Sequence, residues 1–198
     1  MGLELQYLEG QTPLDEYEKE DLLIKTISNH SELDEFEQQN IEDAIEWTLS
    51  RQFRTENILQ ESLILDVHKR MFSNVWKWAG SYRTSNKNLG VDKYQIPFEL
   101  RNLLDDCKYW IEYNSYEPDE LAIRFKHRLV SIHPFANGNG RHSRLCADIL
   151  ISHGLNKPIF TWGRSNIVKK GETRLKYLQA LYEADRGNIL PLIDFSRS

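Results

Sequence analysis

The chain has 198 residues, 40% of them hydrophobic and 28% charged, which suits one globular domain with its own core and excludes a disordered or low-complexity chain. Lys plus Arg total 25 against 30 Asp plus Glu, and a net charge of −5 at pH 7 argues against a protein held on nucleic acid by a basic face. Apolar runs such as Leu22 to Ile24 fall far short of the roughly 18 residues of a membrane span, and the acidic N-terminus has no secretory pattern.

Residues 1–30, with acidic clusters around Gly10 and Pro13, read as an N-terminal arm on the surface, ahead of a single domain over 31–198. Leu33, Phe36, Ile41, Ala44, Ile45 and Leu49 then share one helical face, with Ser31 as the expected N-cap. A second periodic stretch runs from Ile58 to Phe72 and ends in the aromatic turn Val75 to Gly80. Residues 81–97 lose the helical period, and the turn formers Asn88, Gly90 and Asp92 beside alternating Lys93 to Ile96 predict a short hairpin. Pro97 and Pro118 each open an amphipathic helix, the second running into His133. Helices are also expected from Gly140 to Gly154 and over 174–184, the latter ended by Gly187. The fold class is therefore all-α, a helical bundle with one small β-hairpin.

Chemistry concentrates in the twelve residues from His133 to Arg144, HPFANGNGRHSR, a loop leading into a helix. Gly138 and Gly140 let backbone N–H groups approach an anion at a helix N-terminus. Arg141 and Arg144, three apart, offer two guanidinium forks to phosphate oxygens. His133 is a candidate general base, and Phe135 anchors the loop in the core. No Lys-Ser or Lys-Thr follows the glycines, and Ser143 stands where a dinucleotide fingerprint needs a third Gly, so both of those nucleotide-binding classes are set aside. His142 and Cys146 lack a third ligand for zinc. The two cysteines, Cys107 and Cys146, fit no disulfide scaffold and point to a reducing cytoplasm.

The segment resembles the signature of the Fic family, H-P-F-x-[D/E]-G-N-G-R-x-x-R, and VWKWAGSYR with NLGVDKYQIP resembles that family's aromatic turn and hairpin flap. The resemblance spans about residues 55 to 190. It implies the Fic fold and transfer of AMP from ATP to a Ser, Thr or Tyr hydroxyl of a target protein. By that resemblance His133 deprotonates the hydroxyl, Asn139 with the Gly138 and Gly140 backbone steadies the α-phosphate, Arg141 holds the β-phosphate and Arg144 the γ-phosphate. Leu89, Gly90, Tyr94, Gln95 and Ile96 would form the target-binding flap. Asn137 replaces the usual Asp or Glu that binds Mg²⁺, an oxygen ligand without charge. Doc proteins, which are phosphotransferases, also accept Asn there, but they carry Ala and Lys at the positions of Gly138 and Gly140. Two other readings stay open: a nucleotide-binding regulatory module, and transfer of a different nucleotidyl or phosphoryl group. The family's inhibitory pattern [S/T]-x-x-x-E-[G/N] is not intact here, which points to restraint of Arg144 by a separate antitoxin-like partner. The near-miss Gln52 to Asn57, carrying Glu56, is the alternative in the chain itself.

Overall fold

The computed structural model, described over residues 13–163 and 170–198, is a succession of helices joined by turns and loops. The order is α1 (Glu16–Glu20), α2 (His30–Leu49), α3 (Thr55–Ile58), α4 (Glu61–Phe72), α5 (Ile96–Glu112), α6 (Pro118–Ile132), α7 (Asn139–Ile149), a π-helical turn (Leu150–Gly154), α8 (Lys170–Asp185) and α9 (Leu190–Arg197). Asn29, not Ser31, caps α2, its side-chain oxygen accepting the Glu32 amide at 3.1 Å. The periodic stretch ending at Phe72 breaks at Leu59 into α3 and α4. Pro97 and Pro118 lie in the first turns of α5 and α6, where the missing N–H costs no hydrogen bond. The helix expected to reach Gly154 gives way to the π turn after Ile149, and α9, opened by Pro191, is an addition to the expected set.

The core is laid down by helix faces in pairs, α2 on α4, α5 on α6, α6 on α7 and α8 on α9. Leu100 and Leu103 of α5, Ala122, Ile123 and Phe125 of α6, and Ala147 of α7 are fully buried. At about 1.5–3 kcal/mol per large apolar side chain, these stripes hold α6 and α7 against each other and so fix the loop between them.

The hairpin does not form. Among the described residues there is no strand, only a bridge pairing Leu22 with Trp76. Residues 81–95 run as bends and turns because Arg83, 4% exposed, takes the carbonyls a ladder would have used: Nη1 donates to Ser85 O at 2.6 Å and Nη2 to Val91 O. The described part of the expected arm, residues 13–30, packs onto this loop. Leu14, Leu22 and Ile27 are buried, Trp78 Nε1 donates to Glu18 O, and Lys87 pairs with Asp15 and Glu18.

Candidate anion-binding active site

The α6–α7 loop is bent by two left-handed residues, His133 (φ 56°, ψ 60°) and Gly138 (φ 76°, ψ 0°). A Cβ at Gly138 would stand 2.5 Å from the Phe72 ring, so only glycine fits there. Asn139, 3% exposed, brackets the loop from inside: its Oδ1 accepts Phe135 N–H at 3.0 Å and its Nδ2 donates to Phe135 O at 2.8 Å. Its side chain is therefore committed to the loop, and an anion would meet the main chain of α7's first turn, whose amides have no i−4 carbonyl to bond. A Cβ on Gly140 would meet nothing within 4 Å, which leaves open space at that helix end.

His68, on α4, was not singled out by the sequence and proves central. Its Nδ1 accepts Gly80 N–H at 3.0 Å, which fixes the tautomer, so Nε2–H donates to Asn137 O at 3.1 Å. Its ring stacks on Phe135 at 3.6 Å. Burial, then the neighbouring His142, holds it well below the usual histidine pKa, so it remains a neutral hydrogen-bonding brace.

His133 is 7% exposed, with Nδ1 donating to Val130 O at 3.3 Å. That tautomer puts the basic lone pair on Nε2. Burial foremost, with Arg83 and Lys87 adding to it, pushes its pKa down to about 4, so the imidazole is in its base form at neutral pH. Arg83 Nε holds the His133 carbonyl at 2.7 Å, and the amides of Arg83 and Val91 bond Pro134 O and Ile132 O. Gly90 presses directly on His133, since a Cβ there would lie 2.5 Å from His133 Cβ. Of the expected flap residues, Leu89 and Tyr94 are exposed, Gln95 precedes α5, and Ile96 is fully buried in the core and cannot face a target.

Arg141 makes an ion pair at 2.6 Å with Glu37, a buried carboxylate on α2 that also accepts Trp76 Nε1–H at 2.7 Å. Glu37 escaped the sequence reading, although its place four residues after Leu33 on the apolar stripe of α2 carried the signal. Arg144 lies over the Tyr177 ring, 5.5 Å from its centroid, with Nε donating to Gly140 O at 3.3 Å. Glu56 is exposed on α3 and makes no ion pair with Arg144. Asn137 turns its Oδ1 onto Gly138 N–H at 2.6 Å, and no three His, Cys, Asp or Glu side chains converge among the described residues. These groups do not fit a metal ion held by the protein alone.

Residues 58–151 match the family model described as the Fic/DOC family. Over those residues the chain carries a Fic/DOC domain. The protein adenylyltransferase Fic of Aedes aegypti is 30% identical to this chain over 136 residues, 67% of this chain and 26% of that protein. The chain thus spans about a quarter of the length of the curated relatives it matches. A Fic domain containing signaling protein from Bacteroides thetaiotaomicron shares the fold at TM-score 0.66 and 21% identity, over 92% of this chain and 75% of that one. BepC, a VirB-translocated effector of Bartonella tribocorum with bound AMPPNP, does so at TM-score 0.65 and 18% identity, over 88% and 89%. The all-helical core expected from the sequence is this shared fold.

Proposed function

We propose that this chain transfers AMP from ATP to a Ser, Thr or Tyr hydroxyl of a target protein. The observation that carries the reading is the placement of a neutral His133, with Nδ1 occupied, at one end of a loop whose other end is the glycine-opened N-terminus of α7 bearing Arg141 and Arg144. The naming of the Aedes relative as an adenylyltransferase and the AMPPNP bound to BepC support it.

In this reading the phosphate chain lies across the first turn of α7. His133 Nε2 takes the hydroxyl proton as the target oxygen attacks the α-phosphorus. The α–β bridging P–O bond breaks, and pyrophosphate leaves with its charge matched by Arg141 and Arg144. Mg²⁺ enters on the triphosphate as part of the substrate. Leu89, Gly90, Tyr94 and Gln95, exposed on the turn-rich loop beside His133, are the surface that meets the target segment. Restraint comes from a separate antitoxin-like protein that delivers a carboxylate to Arg144, and Glu56→Gly leaves the labelling by the isolated chain unchanged. The buried free thiols Cys107 and Cys146 suit a reducing cytoplasm.

A second reading, a nucleotide-binding regulatory module, is favoured by one feature. Arg141 is already paired with Glu37, and the Gly138 amide with Asn137, so two candidate phosphate donors are engaged. Lysate labelling with α- and γ-labelled ATP separates the readings. AMP transfer gives label from the α position alone, abolished in His133→Ala with ATP binding retained. Label from γ alone means phosphorylation, and ATP binding with no label means the regulatory module.

A further inference from the structure

Lys126, on α6, is wholly buried at 0% exposure. Among the described residues no Asp or Glu forms an ion pair with it, and its Nζ donates to the Tyr177 hydroxyl of α8 at 2.5 Å. Nζ lies 4.5 Å from the Tyr177 ring centroid, and the Arg144 guanidinium from α7 lies 5.5 Å from the same centroid. Three helices thus bring two cations onto one phenol ring.

This arrangement is poor for stability. A buried ammonium without a carboxylate is costly, and apolar replacements of similar volume are commonly as stable or more so. Burial first, then the charge of Arg144, lowers the basicity of Lys126, with Asp185 opposing. An anion seated on Arg144 would act in the same sense as Asp185 and relieve the repulsion between the two cations. Packing alone calls for an apolar side chain here, whereas a phosphate in front of Arg144 calls for a cation behind it.

We propose that Lys126 is a positioning residue of the terminal-phosphate site: by holding Tyr177 it supports Arg144 from behind and adds positive field there, which selects a triphosphate over a diphosphate. The inference rests on Arg144 being the γ-phosphate contact of the function proposed above, and its test reads binding without requiring transfer.

The experiment is calorimetric titration of the full chain with ATP and with ADP in Mg²⁺ buffer, beside thermal unfolding, for wild type, Lys126→Met, Tyr177→Phe and Arg144→Ala. Lys126→Met is expected to lower the ATP-over-ADP affinity ratio about tenfold while its unfolding midpoint stays level or rises, because a purely structural lysine would show the reverse. Tyr177→Phe keeps the ring, removes only the oxygen that Lys126 holds, and should lower the ratio to a smaller extent. An unchanged ratio in Lys126→Met, with Arg144→Ala losing it, overturns the inference and leaves the reading of Arg144 standing. An unchanged ratio in Arg144→Ala as well removes the γ-phosphate assignment itself. Should Lys126→Met not fold, Tyr177→Phe decides: a reduced ratio supports the inference and an unchanged one overturns it.

Discussion

Lowering the pH from 8 to 5 is expected to remove about 4 kcal/mol of folding stability through two buried histidines. His133 and His142 are pushed down to about 4 mainly by burial, against roughly 6.5 in an unfolded chain. A depressed histidine pKa means that the unfolded state binds more protons below pH 6.5. The stability it supports is complete above that value and is lost as the pH falls toward 4. At about 1.36 kcal/mol per pKa unit, each histidine contributes about 2 kcal/mol of loss by pH 5, and His68 adds to it in the same direction. Asp15, also depressed, gives up its stability only as its carboxylate protonates at lower pH, so between pH 5 and 8 the histidines share the loss with Lys126, whose lowered basicity acts in the same sense, and His142→Gln isolates the histidine part. Two histidines thus take up a large part of a total of about 5–15 kcal/mol. Urea unfolding followed by tryptophan emission at pH 8, 6.5 and 5 measures it. His142→Gln, which can still donate to the Ile64 carbonyl that His142 Nε2 now bonds at 2.9 Å, should flatten the profile by about 2 kcal/mol. A wild-type stability constant to within about 1 kcal/mol over that range, or a His142→Gln profile parallel to wild type, would rule out this histidine linkage.

Gly90→Ala places a Cβ at φ +99° against His133 and Arg83. It should cost about 1–3 kcal/mol in urea unfolding and, if His133 is the base proposed above, reduce transfer more than ATP affinity. The acid limb of kcat/KM should fall near pH 4 to 5 and not near 6.5, and Lys87→Met should move it upward by removing a positive charge that depresses His133. Asn137→Asp should lower the Mg²⁺ concentration for half-maximal labelling by adding a charged oxygen beside the phosphates; an unchanged requirement would place residue 137 outside the metal's reach.

Local chemistry was legible in the chain. Pro97 and Pro118 marked helix starts, Gly138 and Gly140 marked the N-terminal end of α7, and the apolar spacing of α5 to α7 gave the core. Interactions across long separations were not. Asp15 and Glu18 look like surface acids until Lys87, 72 and 69 residues on, closes over them. Turn formers around Gly90 suggested a hairpin because nothing local reveals that the Arg83 fork would take the carbonyls of both limbs. Lys126 reads as a snorkelling lysine on an amphipathic helix, and only the arrival of Tyr177, 51 residues later, shows that its amine is sealed inside. At the site, the His133 to Arg144 run was plain, whereas its braces His68, Arg83 and Glu37 became visible only once α2, α4 and the 81–95 loop were in place.

The contact between Trp76 and Glu37 gives the molecule an optical handle. The indole N–H rests on the very carboxylate that neutralises Arg141, and the ring stacks on Trp78 at 5.0 Å. A ligand that draws the guanidinium away leaves a bare negative charge beside a buried fluorophore, and indole emission responds in wavelength and yield to such a change in local field. Titration of unlabelled protein in a fluorimeter, with Trp76→Phe as the blank, can therefore report occupancy at Arg141 without radioactivity, antibody or modified nucleotide.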